Sequence, residues 1–341
     1  MKSAVLYALR DMRIEERPIP MPGSDEILIR VSACGICGTD VHIFEGDKGA
    51  ADNPLPIVLG HELAGTVEKT GSRVTGYAQG DHVCVDPNVL CGHCGYCRGG
   101  IGHFCEHITG IGTTVDGGFS QYCVVPQRAV YHLAPHIPFS AGAMSEPLSC
   151  CLHGIDMCGI KPGENVVVIG GGMIGLLMIQ LAKISGAAFT ALVEPVESKR
   201  AEGKRLGADL CMDPASEDIL ETLAKNGVRR VGVVIECVGK PATIEQAIGI
   251  AGKYSTVMMF GLTKPEEEVH ILPYEIFRKE VVLKASYINP YTIGRAIDLI
   301  SREKVDVSSM LAEVIPLERL PEVLSSSTLR SKGKFVVDPW K

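Results

Sequence analysis

The sequence predicts an α/β plus β chain: a β-rich, loop-rich first half, then a parallel α/β sheet, then a tail of mixed short elements. Short β-like runs broken by Pro, Gly and Asp clusters up to about residue 140 predict the first part. Beyond Lys161-Pro162-Gly163-Glu164, strand-length apolar runs with helical segments between them predict the second. A length of 341 residues, at about 150 per domain, leaves room for two domains with sizeable cores.

Residues 27–31 and 82–85 are the clearest strands of the first half. Residues 166–169, Val-Val-Val-Ile, read as a buried strand, and 173–185 as an apolar helix. Further strands are predicted at 188–194, 231–237, 255–260 and 281–285, the pattern of a parallel sheet. The chain carries 33 Lys and Arg against 40 Asp and Glu, a net charge of −7, without a basic block. Nucleic acid and anionic membranes are therefore poor partners, and a small molecule is the expected ligand. The N-terminus lacks a secretory signal, and the most apolar stretch, 166–182, is interrupted by Gly170, Gly171, Gly172 and Gly175. A soluble cytoplasmic protein is expected. Thirteen cysteines, an odd number clustered at metal-ligand spacings, point to thiolates on metal rather than disulfides.

Gly170-Gly171-Gly172-Met173-Ile174-Gly175 fits G-x-G-x-x-G directly between a predicted strand and a predicted helix. The first glycine permits the turn, the second lets a pyrophosphate approach the backbone, and the third lets helix and strand pack closely. Free N–H groups at the helix start, with Met173 and Ile174, complete a dinucleotide site. Nineteen residues beyond Gly175, Glu194 ends the next strand, where a carboxylate accepts from a ribose hydroxyl and repels a 2′-phosphate. NAD is expected over NADP, with Lys199 and Arg200 as the residues that keep NADP open.

Cys91, Cys94, Cys97 and Cys105 give C-x2-C-x2-C-x7-C among glycines, the ligand set of a closed, tetrahedral structural zinc. The spacing also resembles an iron–sulfur run. A second constellation joins Cys34-Gly35-Ile36-Cys37-Gly38-Thr39-Asp40-Val41-His42, Gly60-His61-Glu62 and Ser145-Glu146-Pro147. Thiolate, imidazole and carboxylate are all zinc ligands, and a site with an open position supports Lewis-acid catalysis. Taken alone, a Cys and a His so far apart are more often core residues, and Cys34 with Cys37 could form a redox pair.

Gly60-His61-Glu62-x2-Gly65-x5-Gly71-x2-Val74, the four-cysteine lobe, Asp116-Gly117-Gly118-Phe119-Ser120-Gln121-Tyr122 and the later glycine turn together resemble the zinc-containing medium-chain alcohol dehydrogenases. The resemblance spans residues 4–339. It implies a GroES-like catalytic domain over 1–150, a Rossmann NAD-binding domain over 151–286, and a return segment of the catalytic domain over 287–341. It implies two zinc ions, one structural and one catalytic. The catalytic ion would lie on Cys37, His61 and either Glu62 or Glu146. Thr39 would accept the substrate proton and pass it by way of the cofactor ribose to His42. Phe119 and Tyr287 would wall the pocket, and the subunits would associate as dimers or tetramers.

Glu62, Glu146-Pro147-Leu148 and Tyr287-Ile288-Asn289-Pro290 look most like the polyol dehydrogenases of sorbitol or xylitol type, although Ser286 stands where animal sorbitol dehydrogenases carry an arginine. The run from Cys37 to Phe44 also looks like threonine 3-dehydrogenases, and 2,3-butanediol-type enzymes are a further alternative. A noncatalytic cofactor-binding protein is the alternative of a different class; it would have no need of an intact open site.

Overall fold

The computed structural model describes residues 1–46 and 54–341. The chain forms two compact units, Met1–Ser149 with Asn289–Lys341, and Cys150–Ile288.

In the first unit the larger sheet, among the described residues, runs in the order Val130–His132, His82–Val85, Glu62–Thr70, Glu26–Gly35, Lys334–Val337, Leu311–Ile315. Tyr122–Pro126 also pairs with Glu26–Gly35. A smaller sheet joins Asp11–Glu16, Lys2–Ala8 and Ile57–Val58. Their apolar side chains, among them Leu6, Ile27, Ile29, Leu63, Phe119 and Phe335, form one core. Glu26–Gly35 is the central strand and is apolar along most of its length, because both of its faces are covered. The tail supplies Lys334–Val337, which pairs antiparallel with it at Val336↔Gly35 and Val337↔Cys34.

Helix Gly38–Glu45 interrupts the β-rich stretch that the sequence predicts up to about residue 140. At the end of that stretch and beyond it, Phe139–Ala143 and Ser145–Cys158 are helices. The second carries Pro147 in its first turn, where the ring is tolerated, and its Gly154, Ser and Cys residues are weak helix formers that blur the periodic signal.

In the second unit six strands, all parallel, lie in the order Leu210–Met212, Phe189–Val193, Asn165–Ile169, Val233–Glu236, Thr256–Met259, Val282–Ala285. Numbered along the chain this is 3-2-1-4-5-6, the doubly wound dinucleotide-binding order. Val167, Ile169, Val193, Val234 and Val257 pack in its core. The three-residue strand Leu210–Met212 is too short to show a period, and sequence reading passes over it. Helix Met173–Ile184 follows the first strand directly after the glycine turn. Among the described residues no helix is long and apolar enough to cross a membrane.

Candidate active site

Each glycine of the turn has a distinct steric reason. Gly170 adopts φ +100°, and a Cβ at Gly175 would lie 1.8 Å from the Gly170 carbonyl oxygen. The helix can start this close to the strand only without that side chain. A Cβ on Gly172 would meet nothing within 4 Å, so the backbone there is open to a ligand. Met173 and Ile174 are half-buried in the first helical turn. Glu194 is buried, its Oε2 accepting from the Gly171 N–H at 2.6 Å and its Oε1 from the Val196 N–H at 2.9 Å. Arg200 Nη1 donates to the carbonyls of Glu194 and Pro195 at 2.8 and 2.6 Å and pairs with Asp213 at 3.4 Å. Its guanidinium is thus committed within its own unit.

The sulfurs of Cys91, Cys94, Cys97 and Cys105 all lie within 4.8 Å of one another in the loop between strands Asn88–Val89 and Thr109–Gly110. Cys91 Sγ and Cys97 Sγ are 3.9 Å apart. Four thiolates around zinc, at about 2.3 Å each, have sulfurs about 3.8 Å apart, so the set has the right size. Backbone N–H groups already point at the sulfurs: Cys91 to Cys105, Cys94 to Cys91, Cys97 to Cys94 and His107 to Cys105, at 3.3–3.5 Å. The Cys97 N–H lowers the Cys94 thiol pKa to about 6. Desolvation and the neighbouring thiols push Cys97 up to about 12. Ionising all four sulfurs at this spacing requires a shared cation, and all thirteen cysteines are free of disulfides.

The second donor set is assembled by the sheet of the first unit. Cys37 precedes helix Gly38–Glu45, and His61 and Glu62 open strand Glu62–Thr70. Gly60, at φ +95°, makes the turn; a Cβ there would lie 2.7 Å from Cys34 Sγ and 2.8 Å from the Phe119 ring. Donor atoms of Cys37, His61 and Glu62 lie within 4.8 Å of one another. Glu62 Oε1 is buried with no hydrogen-bond partner, and His61 faces the buried Asp40 carboxylate through Nδ1. A buried oxygen left unpaired beside a thiol and an imidazole is costly unless a cation satisfies it, and the chemistry of the three suits zinc.

Electrostatics point the same way. Asp40 is fully buried; its Oδ2 accepts from the Cys37 N–H at 2.8 Å, and its Oδ1 lies 3.4 Å from His61 Nδ1. Burial resists charge on the imidazole, but Asp40 and Cys37 carry its pKa well above the ordinary histidine value. Lys334 is ion-paired with Glu62 Oε2, both side chains buried. Burial alone would discharge that ammonium, and Glu62, Cys37 and Asp40 together hold it protonated.

Thr39 Oγ1 lies 3.7 Å from Cys37 Sγ, and His42 is one turn further along the same helix, half-buried. The Glu146 carboxylate is buried at the start of helix Ser145–Cys158 and is not part of the three-residue donor group. Phe119 corrects an expectation: it is fully buried among Gly60, Cys34 and the core rather than walling an open pocket. Tyr287 is exposed near the end of the second unit. A cavity of about 310 Å³ lined by Arg17, Val58, Asp116 and Tyr122 includes none of the donor residues. Sequence reading missed Asp40 and Lys334 as parts of the site. The signal for Lys334 was a charge opening the otherwise apolar run Lys334-Phe335-Val336-Val337.

Comparison with known proteins supplies the family. Residues 23–135 match the family model "Alcohol dehydrogenase GroES-like domain" and 174–302 match "Zinc-binding dehydrogenase". The chain is 33% identical over 307 residues to a sorbitol dehydrogenase of Halalkalibacterium halodurans, covering 87% of each chain. It is 35% identical over 333 residues to an L-threonine 3-dehydrogenase of Caldanaerobacter subterraneus subsp. tengcongensis, covering 96% of this chain and 95% of the relative. A solved structure from Sinorhizobium meliloti 1021, described as a zinc-binding dehydrogenase bound to NADP, superposes with a TM-score of 0.95 at 36% identity over 99% of both chains.

Proposed function

Because this chain belongs to the zinc-type alcohol dehydrogenase family, we propose that it oxidises a polyol or related secondary alcohol to a ketose or ketone, with NAD as the acceptor. The carrying observation is the buried donor set of Cys37, His61 and Glu62, in which Glu62 Oε1 has no hydrogen-bond partner. Cys37, His61 and a glutamate would hold the catalytic zinc, and Cys91, Cys94, Cys97 and Cys105 the structural one. Of Glu62 and Glu146, Glu62 is the better candidate, since its carboxylate already lies in the group. When bound, zinc supplies polarisation of a hydroxyl and the nicotinamide accepts a hydride.

The chain's own groups then have separable tasks. Asp40 fixes Cys37 and faces His61, setting the orientation of both donors. Thr39, whose hydroxyl lies beside Cys37, receives the substrate proton, and His42 passes it towards solvent. Gly170 to Gly175 and the helix start bind the pyrophosphate, and Glu194 accepts from the adenosine ribose. The commitment of Arg200 to backbone carbonyls leaves Glu194 in charge of cofactor choice and supports NAD.

The first unit with its return segment serves as the catalytic domain and the second as the NAD-binding domain, in a cytoplasmic enzyme that self-associates. Among the described residues, strand Val282–Ala285 ends the six-stranded sheet with one edge unpaired, and Tyr274 and Phe277 are exposed on the preceding helix Pro273–Lys279. An uncovered edge with apolar neighbours supports pairing with a second copy. Light scattering on the eluted protein should give a dimer or tetramer mass.

Substrate class is tested by following NADH with polyols, L-threonine, 2,3-butanediol and 2-propanol side by side. Unpaired buried polar groups cost about 1–3 kcal/mol each, so polyols should exceed 2-propanol in kcat/KM by about tenfold or more. Strong L-threonine oxidation with inert polyols would move the assignment to the threonine branch.

A further inference from the structure

The Glu62–Lys334 pair sits in a groove made for it. Gly35 is paired with Glu62 on one side and Val336 on the other, so three adjacent strands meet there. A Cβ on Gly35 would lie 2.0 Å from Glu62 Oε2 and 2.9 Å from Lys334 Cε. The missing side chain is thus the space in which carboxylate and ammonium meet. The two oxygens of Glu62 differ in their ion pairing: neither has a hydrogen-bond partner, and Oε2 is the one paired with Lys334 Nζ. The side chains of Glu62 and Lys334 are 1% and 4% exposed, so water does not screen the ammonium from the donor set beside it.

We propose that Lys334 is a positioning residue of the open site: by holding Oε2 it leaves Glu62 one oxygen to offer the metal and weakens that oxygen as a donor. The site then holds its metal less tightly than its ligands would allow and keeps a position for the substrate oxygen. This rests on the reading of Cys37, His61 and Glu62 as a metal site. A purely structural lysine, by contrast, would stabilise the strand and leave metal exchange unchanged.

The test is zinc release from the loaded full-length protein into a chromophoric chelator, where the closed and open sites give separate phases. The open-site phase is the one lost in Cys37→Ser. Lys334→Met removes the positive charge and frees Oε2, so the open-site phase should slow by at least about tenfold while the closed-site phase is unchanged. Lys334→Arg keeps the charge and should stay within about twofold of wild type. An open-site rate in Lys334→Met equal to or faster than wild type overturns the proposal. Should that variant fail to fold, the crystal structure of the zinc-loaded wild type decides. Lys334 on Oε2 with one Glu62 oxygen at most on zinc supports the proposal; both oxygens on zinc, or Lys334 withdrawn, overturns it. A wild type that binds one zinc per chain would instead remove the open metal site and the proposal with it, whereas two zincs with an unaltered Lys334→Met rate would remove the proposal alone.

Discussion

Glu194 Oε2 accepts the Gly171 N–H at 2.6 Å, which ties the end of one strand to the glycine turn after its neighbour. The carboxylate is thereby fixed at the strand end, and the proposed function gives it a ribose hydroxyl as its further partner. Losing a charge-assisted hydrogen bond costs about 1.5–3 kcal/mol, or roughly 10 to 150-fold. Glu194→Ala should erode the preference for NAD over NADP by a factor in that range, read as the ratio of kcat/KM values. A wild type that favours NADP would contradict the role given to Glu194.

Gly175→Ala tests the turn itself. The added methyl would meet the Gly170 carbonyl oxygen at 1.8 Å, and neither backbone can move without separating helix from strand. Overpacking of this kind costs about 1–3 kcal/mol. Tm should fall, and NADH affinity, measured by fluorescence titration, should fall with it. Wild-type affinity in this variant would show that the close approach is not needed for the cofactor.

Metal content separates the two donor sets. Elemental analysis of protein purified without chelator should find close to two zincs per chain. Cys97→Ser opens the four-thiolate set and should cost stability and solubility, because metal-binding energy there is folding energy. His61→Ala should abolish turnover with little loss of fold, since His61, one of the three donors, precedes strand Glu62–Thr70 rather than lying within the sheet. Full activity in His61→Ala would remove it from the site.

Asp86 predicts a pH dependence. Burial pushes its carboxyl up to about 6 from the ordinary 3.8, against hydrogen bonds from the Asn88 N–H at 3.1 Å and Asn289 Nδ2 at 3.3 Å. The native state favours the protonated form. Its contribution to stability is therefore full below the unfolded value and is lost as pH rises through about 6, by up to about 3 kcal/mol. Asp86→Asn keeps an acceptor oxygen and removes the ionisation. It should raise Tm at about pH 7.5 and leave it unchanged near pH 4. Equal effects at both pH values would show that ionisation is not the cause.

What the sequence determined by itself was the chemistry that is local along the chain. The glycine turn is six consecutive residues, and the four cysteines belong to one loop, so their steric and ligand logic is contained in spacing alone. The β-like first half and the parallel sheet were legible from apolar periodicity, whereas helix Ser145–Cys158 was not, because Gly154 and the Ser and Cys residues hide its period. Only the tertiary structure decided the rest. It joined the final strand to Glu26–Gly35, and so carried Lys334 to Glu62 across almost the whole length of the chain. It also buried Asp40 against His61, left the Glu146 carboxylate outside the three-residue donor group and placed Phe119 in the core. The physical reason is that a charge is assigned its partner by burial and strand register, and neither is a property of the residues adjacent to it in sequence.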